Sequence, residues 1–197
     1  MVAINRGIQG NGYYPGARGF QKGTDPTNGV MLLGRDFGLY SYYQRRSSIP
    51  NADETMYTWQ RTVGCILEPL STVGVWAVNY LIGARRSGPT TGNLHDLIPE
   101  HEWLPYEEYC WGFLARMVLL QHPKYVVVLV RNNETDLRGP ERFACSRYTF
   151  RSEGKEHSAE ILYEPHPSAL RSRLVQSRAR ERYKSLAHSM SNAPSFA

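Results

Sequence analysis

Four short apolar runs punctuate the chain, at residues 29–33, 73–78, 125–130 and 160–163. Runs of this length, bounded by turn residues, read as buried strands. The third, "YVVVLV", is apolar at every position, so both faces of that strand are expected to be covered. Between the runs lie three stretches of helical character. Residues 56–70 are bounded by Pro69. Residues 106–121 follow Pro105 and carry apolar side chains at 110, 113, 114, 117 and 118, and residues 168–187 follow Pro167 at a first-turn position. Strands alternating with helices predict an α/β fold, a parallel sheet covered on both faces. The expected architecture is a three-layer αβα sandwich around a central four-stranded parallel sheet.

In such sheets a ligand binds outside the carboxyl ends of the strands. Polar residues gather at those ends here: Arg35 and Asp36, Asn79 and Tyr80, Arg131 and Asn132, His166 and Ser168. The first of these tips lies between two glycines, in "GVMLLGRDFGLYSYYQRR".

The remaining composition narrows the class. With 197 residues, 41% of them hydrophobic, the chain can form one ordinary domain with a core. The reading is a single domain over residues 1–197. Residues 1–28, rich in Gly, Tyr and Asn, form an arm, and residues 188–197 a flexible tail. No apolar stretch is long enough to cross a bilayer. The start has no apolar leader segment, so a cytoplasmic protein without a membrane partner is expected. Cys65, Cys110 and Cys145 are odd in number and widely spaced, which suits reduced thiols rather than a disulfide framework or a zinc site. No cofactor is expected. From His166 onward six basic residues (Arg171, Arg173, Arg178, Arg180, Arg182, Lys184) face one acid, Glu181, so this segment holds the whole net charge of +5. A local cationic face fits a polyanion such as nucleic acid, or is a solvated helix.

Each polar tip has a chemical and a purely structural reading. Asp36 in its glycine-flanked turn can orient a water or steady a cation, or it caps its own turn. The Asn79 amide offers a donor beside an acceptor, matching the N3–H and O4 edge of uracil and mismatching cytosine, or it forms an Asx turn. His166, fixed between Pro165 and Pro167, can donate to an oxygen that gains negative charge as a bond breaks, or it is a satisfied core histidine. Ser168, with the first amides of the following helix, can hold a phosphate. Leu170 is either a wedge for a base stack or an inward-facing helical leucine.

Taken together, three segments resemble the uracil-DNA glycosylase superfamily. "GVMLLGRDFG" is similar to its first motif, "VWAVNYLIGARRSG" to the strand ending in the uracil-reading Asn, and "HPSALR" to the His-Pro-Ser motif with its intercalating residue. The resemblance runs from Gly29 to about Tyr183 and implies the family's sheet and a monofunctional uracil-DNA glycosylase. It implies that Asp36 positions the water and steadies an oxocarbenium-like sugar. Arg35 then stands where a backbone amide faces uracil O2, Asn79 reads the base, and His166 stabilises the leaving uracil anion. Ser168 and Arg171 contact phosphate, with Arg85 and Arg86 nearby, and Leu170 fills the gap left by the flipped nucleotide. Gly38 stands where some members place a thymine-excluding tyrosine, leaving that task to a bulky group such as Tyr40, Tyr42 or Tyr43. Phe37 and Trp59 are the candidates for stacking on the base, Trp59 being favoured. The chain lacks the proline-rich DNA-pinching loop. Three scattered cysteines cannot hold the four-iron cluster of the thermophilic branch, so the resemblance is to a divergent member without one. The expected partner is uracil-containing or abasic DNA, bound by a monomer. Two competing readings are a non-cutting binder of such DNA and a hydrolase of a small nucleotide. The cationic segment disfavours the second, because a small substrate needs no extended basic face.

Overall fold

A computed structural model describes residues 29–35, 57–81, 98–130 and 146–191, with residues 57–59 and Ala77 described by their backbone alone. Among the described residues five strands form one mixed, mostly parallel sheet. They are β1 (Val30–Gly34), β2 (Val75–Asn79), β3 (Tyr125–Val130), β4 (Arg147–Ser152) and β5 (Lys155–Pro165), in the spatial order β2-β1-β3-β5-β4. Strands β2, β1, β3 and β5 are mutually parallel, as the alternating pattern predicts. The fifth strand corrects the four-stranded expectation: β4 pairs antiparallel with β5 at the sheet edge. Its sequence, "RYTFRS", places only Phe150 in the core, so no apolar run marks it. The β4–β5 hairpin turns through Glu153 (φ 54°) and Gly154 (φ 76°), two left-handed residues in a two-residue connection. Strand β5 is also longer than its apolar run. Its first half pairs with β4 and is mostly polar, and its second half, from Glu160 onward, pairs with β3.

Among the described residues three helices cover the sheet: α1 (Tyr57–Thr62), which continues as a π turn over Val63–Leu67; α2 (Glu100–Gln121); and α3 (Arg173–Ser191). In the π turn Glu68 donates its N–H to Val63, five residues back, and Pro69 has no N–H with which to resume the ladder. Helix α2 starts six residues earlier than the pattern predicts. Pro99 precedes it, Glu100 and Glu102 suit the positive end of its dipole, and Pro105 sits inside the second turn. The missing Pro105 N–H leaves only the His101 carbonyl without its ladder donor, at an exposed helix start. At the far end His122, left-handed at φ 47°, caps the helix by donating to Val118.

Strand alternation sends side chains to two cores. Met31, Leu33, Trp76, Val78, Val126, Val128, Phe150 and Ile161 pack under Trp103, Tyr106, Cys110, Leu114 and Val118 of α2. Val30, Leu32 and Val127 pack on the opposite face against Cys65, Ile66 and Leu70, and against Ala179, Tyr183 and Ala187 of α3. The molecule is thus layered as helix, sheet, helix, and the free cysteines of the described residues, Cys65 and Cys110, lie on opposite sides of the sheet. No described helix is long and apolar enough to cross a membrane.

Candidate functional site

The four parallel strands end at the same sheet edge, the carboxyl one. At the first tip Gly34 is level with Asn79 in the β1–β2 register. The pairing runs on past the strands: Tyr80 donates its N–H to Gly34 O at 2.8 Å and Leu81 donates to Arg35 O at 2.8 Å. Trp76 and Val78 face α2, so Asn79 faces the α1/α3 side. Its side chain is buried and lies directly over Gly34, in the space a Cβ would occupy. Glycine at this position is therefore what lets the amide lie flat across the neighbouring strand tip. Next door, Tyr80 turns toward α2, where its hydroxyl donates to Glu107 at 3.3 Å.

At the other end of the edge, His166 follows β5 and is tied to β3 by its N–H, which donates to Val130 O at 2.8 Å. It keeps an extended backbone (φ −58°, ψ 143°) and caps a short 3-10 turn, Pro167–Ala169. The cap is the imidazole itself. Ser168 donates its backbone N–H to Nδ1 at 3.2 Å, and Ser168 Oγ lies 2.8 Å from the same nitrogen. A backbone N–H can only donate, so Nδ1 is an acceptor. The neutral ring then carries its proton on Nε2. From α1, Arg61 Nη1 reaches the carbonyl oxygens of Pro167 (3.4 Å) and Ser168 (3.3 Å). Asn79 and His166 stand three strand spacings apart across the sheet, about 14 Å at ~4.8 Å per step.

The charges of the last helix divide into two groups. Arg182 grips Glu164 of β5 with Nε at 2.8 Å from both carboxylate oxygens, Arg180 pairs with Glu68 at 3.0 Å, and Lys184 pairs with Glu181 at 2.8 Å. Arg171, Arg173 and Arg178 make no ion pair among the described residues. These three lie at the start of α3, where the chain leaves the carboxyl edge, and the first turn holds no acid to balance them. Leu174, exposed, stands among them. Beneath this helix Tyr183 is 2% exposed and its hydroxyl has no hydrogen-bond partner among the described residues. Burial, with Glu164 nearby, pushes its phenol well above the usual range. Burial likewise raises the Cys65 thiol, against the lowering pull of Arg180 and Arg61.

Of the residues that the sequence marks, Arg35, Asn79, His166 and Ser168 lie at the carboxyl edge, and Arg171 follows them, exposed. Trp59 lies on α1, whose Arg61 touches the His166 turn; only its backbone is described. Asp36, Phe37, Gly38, Arg85 and Arg86 lie outside the described residues, as do Tyr40, Tyr42 and Tyr43. Leu170 requires a correction. It is 0% exposed and packs with Val30, Leu32, Ile66 and Val127 in the α3-side core. The inward-facing alternative holds for it, and a wedge would have to leave that core. The Ser168 hydroxyl is engaged with the imidazole. Arg61 escaped the sequence reading, although it sits four residues before Cys65 and so falls on the buried stripe of its helix. Among the described residues no group of three His, Cys, Asp or Glu side chains could hold a metal ion. Neither a scan against protein-family models nor a search of curated proteins finds a match for this chain.

Proposed function

We propose that the chain is a DNA N-glycosylase of the uracil-excising kind, acting on an everted nucleotide at the carboxyl edge of the sheet. The observation that carries this reading is that Asn79, on the α1/α3 side, and His166, in a turn touched by Arg61 of α1, share one sheet edge, with the His166 ring held as an Nε2–H donor. A pyrimidine between them would meet an amide at its N3/O4 edge and an imidazole N–H at O2. The glycosidic bond breaks with its electron pair passing to the base. The neutral imidazole stabilises the charge arriving on O2, Asp36 steadies the sugar cation, and water then adds at C1′ with loss of a proton. The nucleotide must leave the stack first, at a cost of a few kcal/mol. Phosphate contacts from Arg171, Arg173 and Arg178 at the start of α3 offset that cost, which gives a purpose to cations placed at the wrong end of a helix dipole.

The test is release of free base from labelled strands carrying uracil, hypoxanthine or damaged pyrimidines, single- and double-stranded. Uracil release that vanishes in Asp36→Asn, with a base preference that changes in Asn79→Asp, is the expected result. Tight binding of uracil-containing or abasic DNA without turnover would replace the enzyme by a binding protein. Neither binding nor release would end the reading.

A further inference from the structure

We propose that Arg61 is the positioning residue for the His166 imidazole. The orientation of that ring is set by Ser168, whose N–H and Oγ both meet Nδ1. The orientation of Ser168 is set by its turn, and the turn is closed by two backbone bonds: Ala169 N–H to His166 O at 2.8 Å and Leu170 N–H to Pro167 O at 3.2 Å. A three-residue 3-10 turn with so few internal bonds does not define its own peptide orientations strongly. Arg61 supplies what is missing from outside. One guanidinium nitrogen donates to two successive carbonyls, Pro167 O and Ser168 O, so the intervening peptide cannot swing without losing a charge-assisted contact. That peptide carries the Pro167 carbonyl on one side and the Ser168 N–H on the other. Planarity couples the two: aiming the carbonyl at Arg61 aims the N–H away from it, toward Nδ1.

The ring tautomer is thus selected by an arginine acting through the backbone carbonyls of Pro167 and Ser168. Loss of Arg61 frees the peptide to turn, and Nδ1 then competes with Nε2 for the proton. The wrong tautomer presents a lone pair where a donor is needed. The catalytic consequence rests on the glycosylase reading; the tautomer selection does not, and the two are separable by experiment.

The full chain, labelled with 15N-histidine, reports the ring nitrogens of His166 directly, with assignment by loss of the signal in His166→Gln. The wild type is expected to show one neutral tautomer, protonated on Nε2. Arg61→Gln is expected to show a mixture, and Arg61→Lys, which keeps a cation in reach of the carbonyls, a return toward the wild-type pattern. Glycosylase assays of the same proteins should show kcat for uracil release reduced about 10- to 100-fold in Arg61→Gln, with KM little changed and partial rescue in Arg61→Lys. An unaltered tautomer in a folded Arg61→Gln protein overturns the proposal. So does a wild-type kcat in a variant whose tautomer is mixed. If Arg61→Gln does not fold, the Arg61→Lys spectrum decides: it must stay close to the wild type, and a fully switched tautomer there refutes the role. A wild type that selects the tautomer but releases no base overturns the glycosylase reading and leaves the role of Arg61 standing.

Discussion

Replacing Gly34 by alanine separates the stability of the fold from the geometry of its site. A Cβ at this position would overlap Asn79 Oδ1 and lie 3.5 Å from Asn79 Cγ. Gly34 is not among the left-handed residues, so alanine meets no backbone strain there. It restricts the unfolded chain, which by itself stabilises by about 0.4–1 kcal/mol. Against this, the Asn79 side chain must swing aside, and a displaced rotamer costs about 0.5–1.5 kcal/mol. The two nearly cancel, so the melting temperature should move by no more than about 2–4 °C in a chain of this size. The site has no such compensation. The amide must shift by roughly 1 Å to clear the methyl, and a misplacement of that size costs about 100-fold in rate. Uracil release by Gly34→Ala should therefore fall about 100-fold in kcat/KM while thermal melts stay near the wild type. In an Asn79→Ala background the same change should add little, because its only route to the site is gone. Wild-type excision by Gly34→Ala, or full additivity with Asn79→Ala, would refute the reasoning.

Three further outcomes follow from the described geometry. Tyr183→Phe removes a buried hydroxyl that lacks a partner, and should stabilise by about 1 kcal/mol, read as a higher melting temperature; a lower one would mean the hydroxyl is satisfied. The Cys65 thiol is raised from its usual 9.0, so above pH 9 the unfolded chain releases a proton that the native state keeps. Stability should accordingly be full below pH 9 and decline as pH rises beyond it, and urea melts of Cys65→Ala should show a weaker alkaline decline. Arg171→Ala and Arg178→Ala should each weaken DNA binding and lower the slope of log K against log salt by about one. Arg180→Ala, whose partner is Glu68, should change that slope less.

The strands at 30–34 and 125–130 were legible because buried parallel strands are apolar on both faces and show as unbroken runs. Strand β4 was not, because an edge strand covered on one face needs only Phe150 and Tyr148 inward and tolerates arginine at 147 and 151. Helix α2 hid its first turn behind Pro105, whose missing N–H costs little beside an exposed carbonyl. At the site, the tips at Asn79 and His166 were readable from strand ends alone. The environment of Leu170 was not, since the same helical spacing serves a leucine pointing inward or outward and only packing decides. Arg61 was invisible for a related reason: its partners are backbone carbonyls more than a hundred residues away, which carry no side-chain signature.

The divided charges of α3 bear on the proposed binding of a polyanion. Arg180 and Arg182 rivet the helix to Glu68 and Glu164, while the three cations at its leading end pair with no acid among the described residues. Phosphates arriving at that end need not compete with the rivets, so capture and release can cycle without loosening the helix. A strand bound as proposed could be let go without a change of shape.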